Sequence, residues 1–143
     1  MNAEPRPEER TITVGDLMAS EPVVVRADAS LTEVARLMDE YDISGLPVVA
    51  EGGDVIGVIN QTDLVRARAT EWLWSNWTGL AVRHLMSTPP LTIRRSSSLD
   101  AAAIQMERDH VHRLVVVADD DPFVPIGVIS TSDLVRALAR STR

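Results

Sequence analysis

The chain has 143 residues, about the length of one ordinary domain, and its 21 acidic and 14 basic residues give a formal net charge of −7. It contains no lysine for a Schiff base or a P-loop, and no cysteine for disulfides, thiol catalysis or thiolate metal sites. The hydrophobic content of 45% is enough for a packed core, and the acidic balance argues against general nucleic-acid binding.

Residues 1–13 are predicted to form a polar tail. Residues 1–10 are polar and acidic and lack the apolar stretch of a signal peptide. The longest apolar runs fall far short of the roughly 18 residues of a membrane span. We therefore expect a cytoplasmic protein with no membrane segment.

Residues 14–69 are predicted to form one unit in the order strand, helix, strand, strand, helix. Residues 23–25 predict the first strand. The following helix begins at a capping box of Ser30 and Glu33. Its apolar residues recur at helical spacing, and they are Leu31, Val34, Ala35, Met38 and Tyr41.

The rest of this unit is predicted to be a hairpin and a second helix. Residues 46–50 and 55–59 are apolar and β-branched, and residues 51–54 supply a tight turn between them. The last helix is expected to begin near Thr62 and Asp63.

Residues 70–81 are predicted to be a connector helix rich in tryptophan. All three tryptophans of the chain lie here, at Trp72, Trp74 and Trp77. Three interpretations stay open: packing over the core, a subunit interface, where tryptophan is enriched, or stacking on a nucleobase.

Residues 82–139 repeat the first unit, and residues 140–143 form a second tail. Val14, Leu17 and Met18 are matched by Val82, Leu85 and Met86. The offset grows by two residues within residues 119–125, and the match then resumes. Because one unit of about 55 residues buries too little surface to be secure alone, we expect the two copies to stack sheet to sheet about a pseudo-twofold axis. The predicted fold class is α/β (α+β).

The most specific motif is Gly-h-h-Ser/Thr-x-x-Asp, where h is apolar. Residues 127–133 fit it fully, whereas residues 57–63 have Asn60 in place of the hydroxyl. With the duplication, this motif resembles the CBS-domain pair, or Bateman module, over most of the chain. Residues 111–117 are also similar to the last repeat of the gamma subunits of AMP-activated protein kinases.

The resemblance implies a regulatory module and not an enzyme. Such pairs bind adenosine nucleotides of the AMP, ADP and ATP class in the cleft between the repeats and control an attached or partner protein. They commonly form homodimers through helices, for which the apolar faces beginning at Leu31 and Leu99, or at Leu64 and Leu134, are candidates. No obligatory cofactor is implied.

Asp133 is the first candidate for binding, and Asp63 is its counterpart. A carboxylate can accept hydrogen bonds from both hydroxyls of a ribose cis-diol, and at a helix N-terminus it is kept ionised. Free N–H groups at the same helix end suit a phosphate. An alternative from sequence alone is that Asp133 is only the N-cap of its helix.

The resemblance assigns further contacts to both repeats. Around Asp133 they are Ser130, Thr131, Ser132, His112, Arg113, Val23, Ile43, Ser44 and Gly45. Around Asp63 they are Asn60, Thr62, Leu91 and Val111. Because Ser44 and Gly45 stand where His112 and Arg113 stand in the other repeat, we expect one phosphate-competent site and one weaker or empty site.

Other function classes stay open on specific residues. The tryptophans, Asn60, Ser44 and Gly45 fit a protein-interaction or assembly module with degenerate sites. His110 and His112 lack the third ligand that zinc requires, and residues 119–122 lack the glycine and distal glutamate of a calcium loop. No catalytic constellation is evident, so an enzyme is the least favoured class.

Overall fold

A computed structural model of the chain describes residues 11–70 and 79–141. The tryptophans of the connector lie outside the described residues, as does most of the predicted connector helix. The helices are α1 (Val14–Leu17), α2 (Leu31–Tyr41), α3 (Gln61–Ala69), α4 (Leu99–Asp109) and α5 (Thr131–Ser141), with a 3-10 turn at Val82–His84. The strands are β1 (Ala19–Ser20), β2 (Val25–Arg26), β3 (Gly45–Val49), β4 (Val55–Asn60), β5 (Thr92–Arg94), β6 (Arg113–Ala118) and β7 (Asp121–Ser130).

The structure is α+β and divides into two compact units, each with one small sheet and its helices. One unit is formed by Pro22–Leu91 together with Phe123–Pro125, and we call it the first-repeat unit. The other, the second-repeat unit, combines the described residues up to Glu21 with Thr92–Pro122 and the chain from Ile126 onward. No helix in the described ranges is long and apolar enough to cross a membrane.

The first-repeat unit contains a three-stranded sheet in the order β2-β3-β4. β2 runs parallel to β3, with Val25 opposite Val48, and β4 runs antiparallel to β3, with Ile59 opposite Leu46. The central strand β3 is buried along its length. The helix α2 buries Leu31, Val34 and Met38 against this sheet, which confirms the predicted strand-helix-strand-strand-helix order.

The second-repeat unit contains a four-stranded sheet in the order β1-β7-β6-β5. β5 is parallel to β6, with Ile93 opposite Val116, as in the equivalent pair of the first repeat. The added edge strand β1 pairs antiparallel with β7, with Ala19 opposite Val128. A strand from the start of the first sequence repeat therefore completes the sheet that the second repeat forms.

The first-repeat unit contains the equivalent antiparallel bridge, between Ser87 and Val58. The glycines of the Gly-h-h-Ser/Thr-x-x-Asp motif, Gly57 and Gly127, which we call the signature glycines, lie beside these two pairings. A Cβ on Gly57 would lie 2.9 Å from Met86 Sδ and 2.9 Å from Ser87 O, and a Cβ on Gly127 would lie 2.8 Å from Ala19 O and closer still to Met18 Sδ. The glycine of the motif is thus required by chain packing.

The last helix of repeat 1 begins at Gln61, within one residue of the predicted start, and Asn60 supplies its cap. Two residues in the predicted apolar spacing of α2 need correction. Tyr41 is 54% exposed, and Ala35 is exposed as well. The buried stripe is the narrower set at Leu31, Val34 and Met38. The Ser30 cap is confirmed, since its Oγ accepts from the Glu33 N–H at 3.1 Å.

Candidate functional site: two carboxylates at matched helix N-termini

The N-terminus of α5 carries Asp133 as its third residue. Ser130 ends β7 and caps the helix, because its Oγ accepts a hydrogen bond from the Asp133 N–H at 3.3 Å. Asp133 Oδ2 accepts in return from the Ser130 N–H at 2.9 Å and from Ser130 Oγ at 3.1 Å. This reciprocal capping box fixes the carboxylate, whose side chain is 15% exposed.

Asp133 is therefore not the N-cap, the structural alternative that its sequence position allowed. That place belongs to Ser130, and Asp133 supplies the other half of the box. The Ser130 hydroxyl proton is donated to Asp133, so an acceptor lone pair of Ser130 remains for a ligand. Asp133 Oδ1 points to the other side and accepts from Arg136 NH1 at 3.1 Å.

The N-terminus of α3 repeats this arrangement with a different cap. Asn60 Oδ1 accepts from the Asp63 N–H at 2.9 Å, and Asp63 Oδ2 accepts from the Asn60 N–H at 2.9 Å. The side chain of Asp63 is 10% exposed, and Arg66 NH1 lies 3.9 Å from its Oδ1. The departure of Asn60 from the family motif thus preserves the capping box.

Some of the N–H groups that were predicted to be free at these helix ends already donate hydrogen bonds within the chain. The Thr131 N–H donates to His112 O at 2.9 Å, and the matched Gln61 N–H donates to Ser44 O at 2.8 Å. The third N–H of each helix is held by the capping side chain. Among the described contacts of the first three residues, the N–H groups of Ser132 and Thr62 are the ones left to meet an anion. Both residues are exposed.

A basic pair lies beside the N-terminus of α5. His112 is exposed, and its carbonyl is tied to α5 by the bond to Thr131. Arg113 opens β6 and is half-buried. Burial lowers the pKa of the Arg113 guanidinium from its ordinary value, because desolvation disfavours the charged form. Arginine nevertheless stays protonated at neutral pH, so the second-repeat unit carries a partly desolvated cation at the start of β6.

The remaining predicted contact residues are divided between the two units. In the first-repeat unit Val23 precedes β2, Ile43 and Ser44 precede β3, and Leu91 ends the unit. Gly45 begins β3 opposite Asn60, so it is a strand residue. In the second-repeat unit Val111 lines a groove of about 470 Å³ between α4 and α5.

The structure brings together Asp63, Asn60, Ser44 and Gly45 in one unit, and Asp133, Ser130, Thr131 and His112 in the other. Sequence reasoning missed Arg66 and Arg136, each one helical turn after its aspartate. The signal was present, because both repeats contain Asp-Leu-Val-Arg and oppositely charged residues three apart face each other on a helix. No cluster of three His, Cys, Asp or Glu suited to a metal occurs in the described ranges.

The sequence model of the CBS domain family matches residues 14–70 and 82–140. Among curated proteins, the chain is similar to a homoserine O-acetyltransferase of Methanocorpusculum labreanum, with 32% identity over 123 residues. That alignment covers 86% of this chain and 23% of the relative. The chain spans about a quarter of the length of this relative and of three other curated relatives that it matches.

Two solved structures show the same fold over most of the chain. CBSX2 of Arabidopsis thaliana in complex with AMP has a TM-score of 0.78 and 30% identity, covering 92% of this chain and 98% of that one. The CBS domain of a membrane protein from Sphaerobacter thermophilus has a TM-score of 0.74 and 30% identity, covering 89% of this chain and 88% of that one. The family model matches both repeats, including the capped N-termini of α3 and α5, and the chain therefore belongs to the CBS domain family.

Proposed function

We propose that this chain is a regulatory module that binds an adenosine-containing nucleotide of the AMP, ADP and ATP class and acts on a partner protein or through its own dimer. The observation that carries the proposal is the matched pair of fixed carboxylates, Asp63 and Asp133, at the third residue of equivalent helices. A carboxylate held in this way can accept hydrogen bonds from ribose hydroxyls without losing entropy on binding. CBSX2, which the chain resembles at 30% identity, was solved with AMP.

The second-repeat unit is the better candidate for a phosphate. Arg113 and His112 stand where the first repeat has Gly45 and Ser44, and arginine binds phosphate through paired N–H groups. We place the phosphate near the Ser132 N–H and hydroxyl, since these donors have no described partner in the chain. The assignment of adenine contacts to Val23, Ile43, Leu91 and Val111 stays a prediction of the family resemblance.

No reaction is assigned to the chain. The acetyltransferase name belongs to a protein of which this chain covers 23%. The expected cytoplasmic location also stays a prediction, and the CBSX2 relative is described as chloroplastic.

We also propose that the chain forms a homodimer through the exposed face of α4 and α5, which we call the α4–α5 face. Ile104, Val135 and Leu138 on this face are 65%, 63% and 66% exposed. The first repeat, which folds in the same way, has Arg36 and Arg68 at the positions of Ile104 and Leu138. The fold of a repeat therefore does not require apolar residues there, and their exposure favours a partner surface.

A protein-interaction module without a ligand is the second candidate function, and the α4–α5 face is the observation that favours it. The two candidates differ in one property, because only the first requires binding of a small molecule at Asp133 or Asp63.

The experiment is a thermal unfolding scan of the whole chain with AMP, ADP, ATP, S-adenosylmethionine, NADH and GTP. A ligand at about 100 times its Kd adds about 2.7 kcal/mol to stability, which raises Tm by several degrees in a chain of this size. We expect a rise with adenosine ligands that is reduced in Asp133→Asn and lost when Asp63→Asn is added to it. Asparagine keeps an oxygen for the Ser130 N–H, so this variant separates ligand binding from helix capping. No rise with any compound would reject the nucleotide proposal and favour the interaction module.

A further inference from the structure

The two fixed carboxylates differ in how many hydrogen bonds they can still accept. A carboxylate has about four lone-pair positions. On Asp133, the Ser130 N–H and hydroxyl occupy Oδ2, and Arg136 NH1 occupies one position of Oδ1 at 3.1 Å. One position therefore remains in the described structure, whereas a ribose cis-diol offers two hydroxyl donors.

Asp63 has more acceptor capacity. Its Oδ2 accepts one bond, from the Asn60 N–H. Arg66 NH1 is 3.9 Å from Oδ1, which is an ion pair and not a hydrogen bond. Among the described contacts, three acceptor positions of Asp63 thus remain, enough for both hydroxyls of a diol.

Arg136 can leave Asp133 without disturbing the fold. Its side chain is 54% exposed, and the ion pair with Asp133 is the contact that the structure describes for it. Side chains of an α-helix tilt toward its N-terminus, so the Arg136 guanidinium faces the end at which a phosphate beside Ser132 would sit. A phosphate anion carries more charge than the carboxylate and competes for the same guanidinium.

We propose that Arg136 makes ribose binding at Asp133 dependent on a phosphate, whereas the Asp63 site accepts the ribose of a phosphate-free nucleoside. When a nucleotide binds at Asp133, its phosphate draws Arg136 away, and the freed Oδ1 accepts from the diol. A nucleoside without phosphate must break the Arg136 ion pair and offers the guanidinium no anion in its place. Because Arg66 is already beyond hydrogen-bond distance of Asp63, the first-repeat unit imposes no such condition. This inference rests on the nucleotide-binding function proposed above.

The test measures the Kd of adenosine and of AMP by titration calorimetry with the full chain. Asp63→Asn restricts binding to the Asp133 site and keeps an oxygen for the Asn60 N–H. In this background we expect Arg136→Gln to tighten adenosine binding about two- to fivefold, the range of an exposed ion pair. AMP binding should weaken about tenfold, because a charge-assisted contact to phosphate is lost. The ratio of the adenosine Kd to the AMP Kd should therefore fall by more than about tenfold.

Two matched controls isolate the effect. Arg140→Gln removes the same charge one turn further along α5, and it should leave the ratio within about twofold. In the Asp133→Asn background, adenosine and AMP should bind the Asp63 site with similar Kd values, and Arg66→Gln should not separate them. A ratio unchanged by Arg136→Gln while AMP still binds would overturn the inference alone, as would an equal change with Arg140→Gln. Failure of the unsubstituted chain to bind either compound would overturn the proposed function as well.

Discussion

Asp133 has two roles, because it belongs to the capping box of α5 and is also a proposed contact for the ligand. Two substitutions should separate these roles. Asp133→Ala removes the acceptor of the Ser130 N–H, whose bond is 2.9 Å long, and loss of such a hydrogen bond costs about 1 kcal/mol. Asp133→Asn keeps an oxygen there and should cost less. We expect both variants to lose AMP binding at this site, but only the alanine variant to lower the urea midpoint markedly. Equal midpoints would mean that the capping box contributes little to stability.

A third carboxylate, Asp16, lies in a similar box at the start of α1. Its Oδ2 accepts from the Thr13 N–H at 2.9 Å and from Thr13 Oγ1 at 3.1 Å. The backbone hydrogen bond first, and then the hydroxyl, hold the pKa of Asp16 below its ordinary value. A folded-state pKa below the unfolded one stabilises the fold at neutral pH, and this contribution is lost as pH falls through the folded value.

The pH dependence of stability should therefore differ between wild type and Asp16→Asn. We expect the wild type to lose more stability than the variant as pH falls below about 5, because only the wild type has this carboxylate to protonate. Urea unfolding at a series of pH values measures the difference. Parallel curves for the two proteins would show that the Asp16 contacts do not distinguish the folded from the unfolded state.

At the scale of elements, sequence patterns predicted most of the fold because most elements are locally determined. Helical spacing and the Ser30 cap located α2, and β-branched runs located β3 and β4. The pairing of β1 with β7 was not predictable, because these two-residue and ten-residue strands are distant in sequence and carry no shared pattern. The side-chain geometry of the site was not predictable from local sequence either. The residues of Asp-Leu-Val-Arg are identical in the two repeats, yet their ion-pair distances are 3.1 Å and 3.9 Å.

The signature glycines, Gly57 and Gly127, leave no room for a side chain. Gly57→Ala would place a methyl group 2.9 Å from both Met86 Sδ and Ser87 O, so we expect a loss of about 1–3 kcal/mol in urea unfolding. Gly52→Ala is the matched control, because nothing lies within 4 Å of its added Cβ, and it should change stability by no more than about 0.5 kcal/mol. An unchanged stability of Gly57→Ala would show that the segment with Met86 and Ser87 can shift to accommodate the methyl group.

At the scale of the whole molecule, the proposed dimer predicts that the two repeats respond differently to the same kind of change. Leu138→Arg installs the residue type that the first repeat has at Arg68, and it should convert the dimer to a monomer in sedimentation at micromolar concentration. Its circular dichroism should not change, since Leu138 is 66% exposed. Val65→Arg, at a position 67% exposed on α3, should leave the mass unchanged.

A monomeric unsubstituted chain would reject the dimer, and an equal effect of Val65→Arg would remove the α4–α5 face as its location.

The pairing of β1 with β7 also constrains the order in which the two sheets can form during synthesis. Apart from Phe123–Pro125, the first-repeat unit is one uninterrupted stretch, so its sheet can close while the second repeat is still being translated. The β1 segment emerges earlier but pairs with Gly127 and Val128, which are among the last residues of the described chain. At about 5–20 residues per second, the β1 segment waits for on the order of ten seconds before its partner exists. Met18, half-buried beside Gly127 in the folded unit, lacks that neighbour for the same interval.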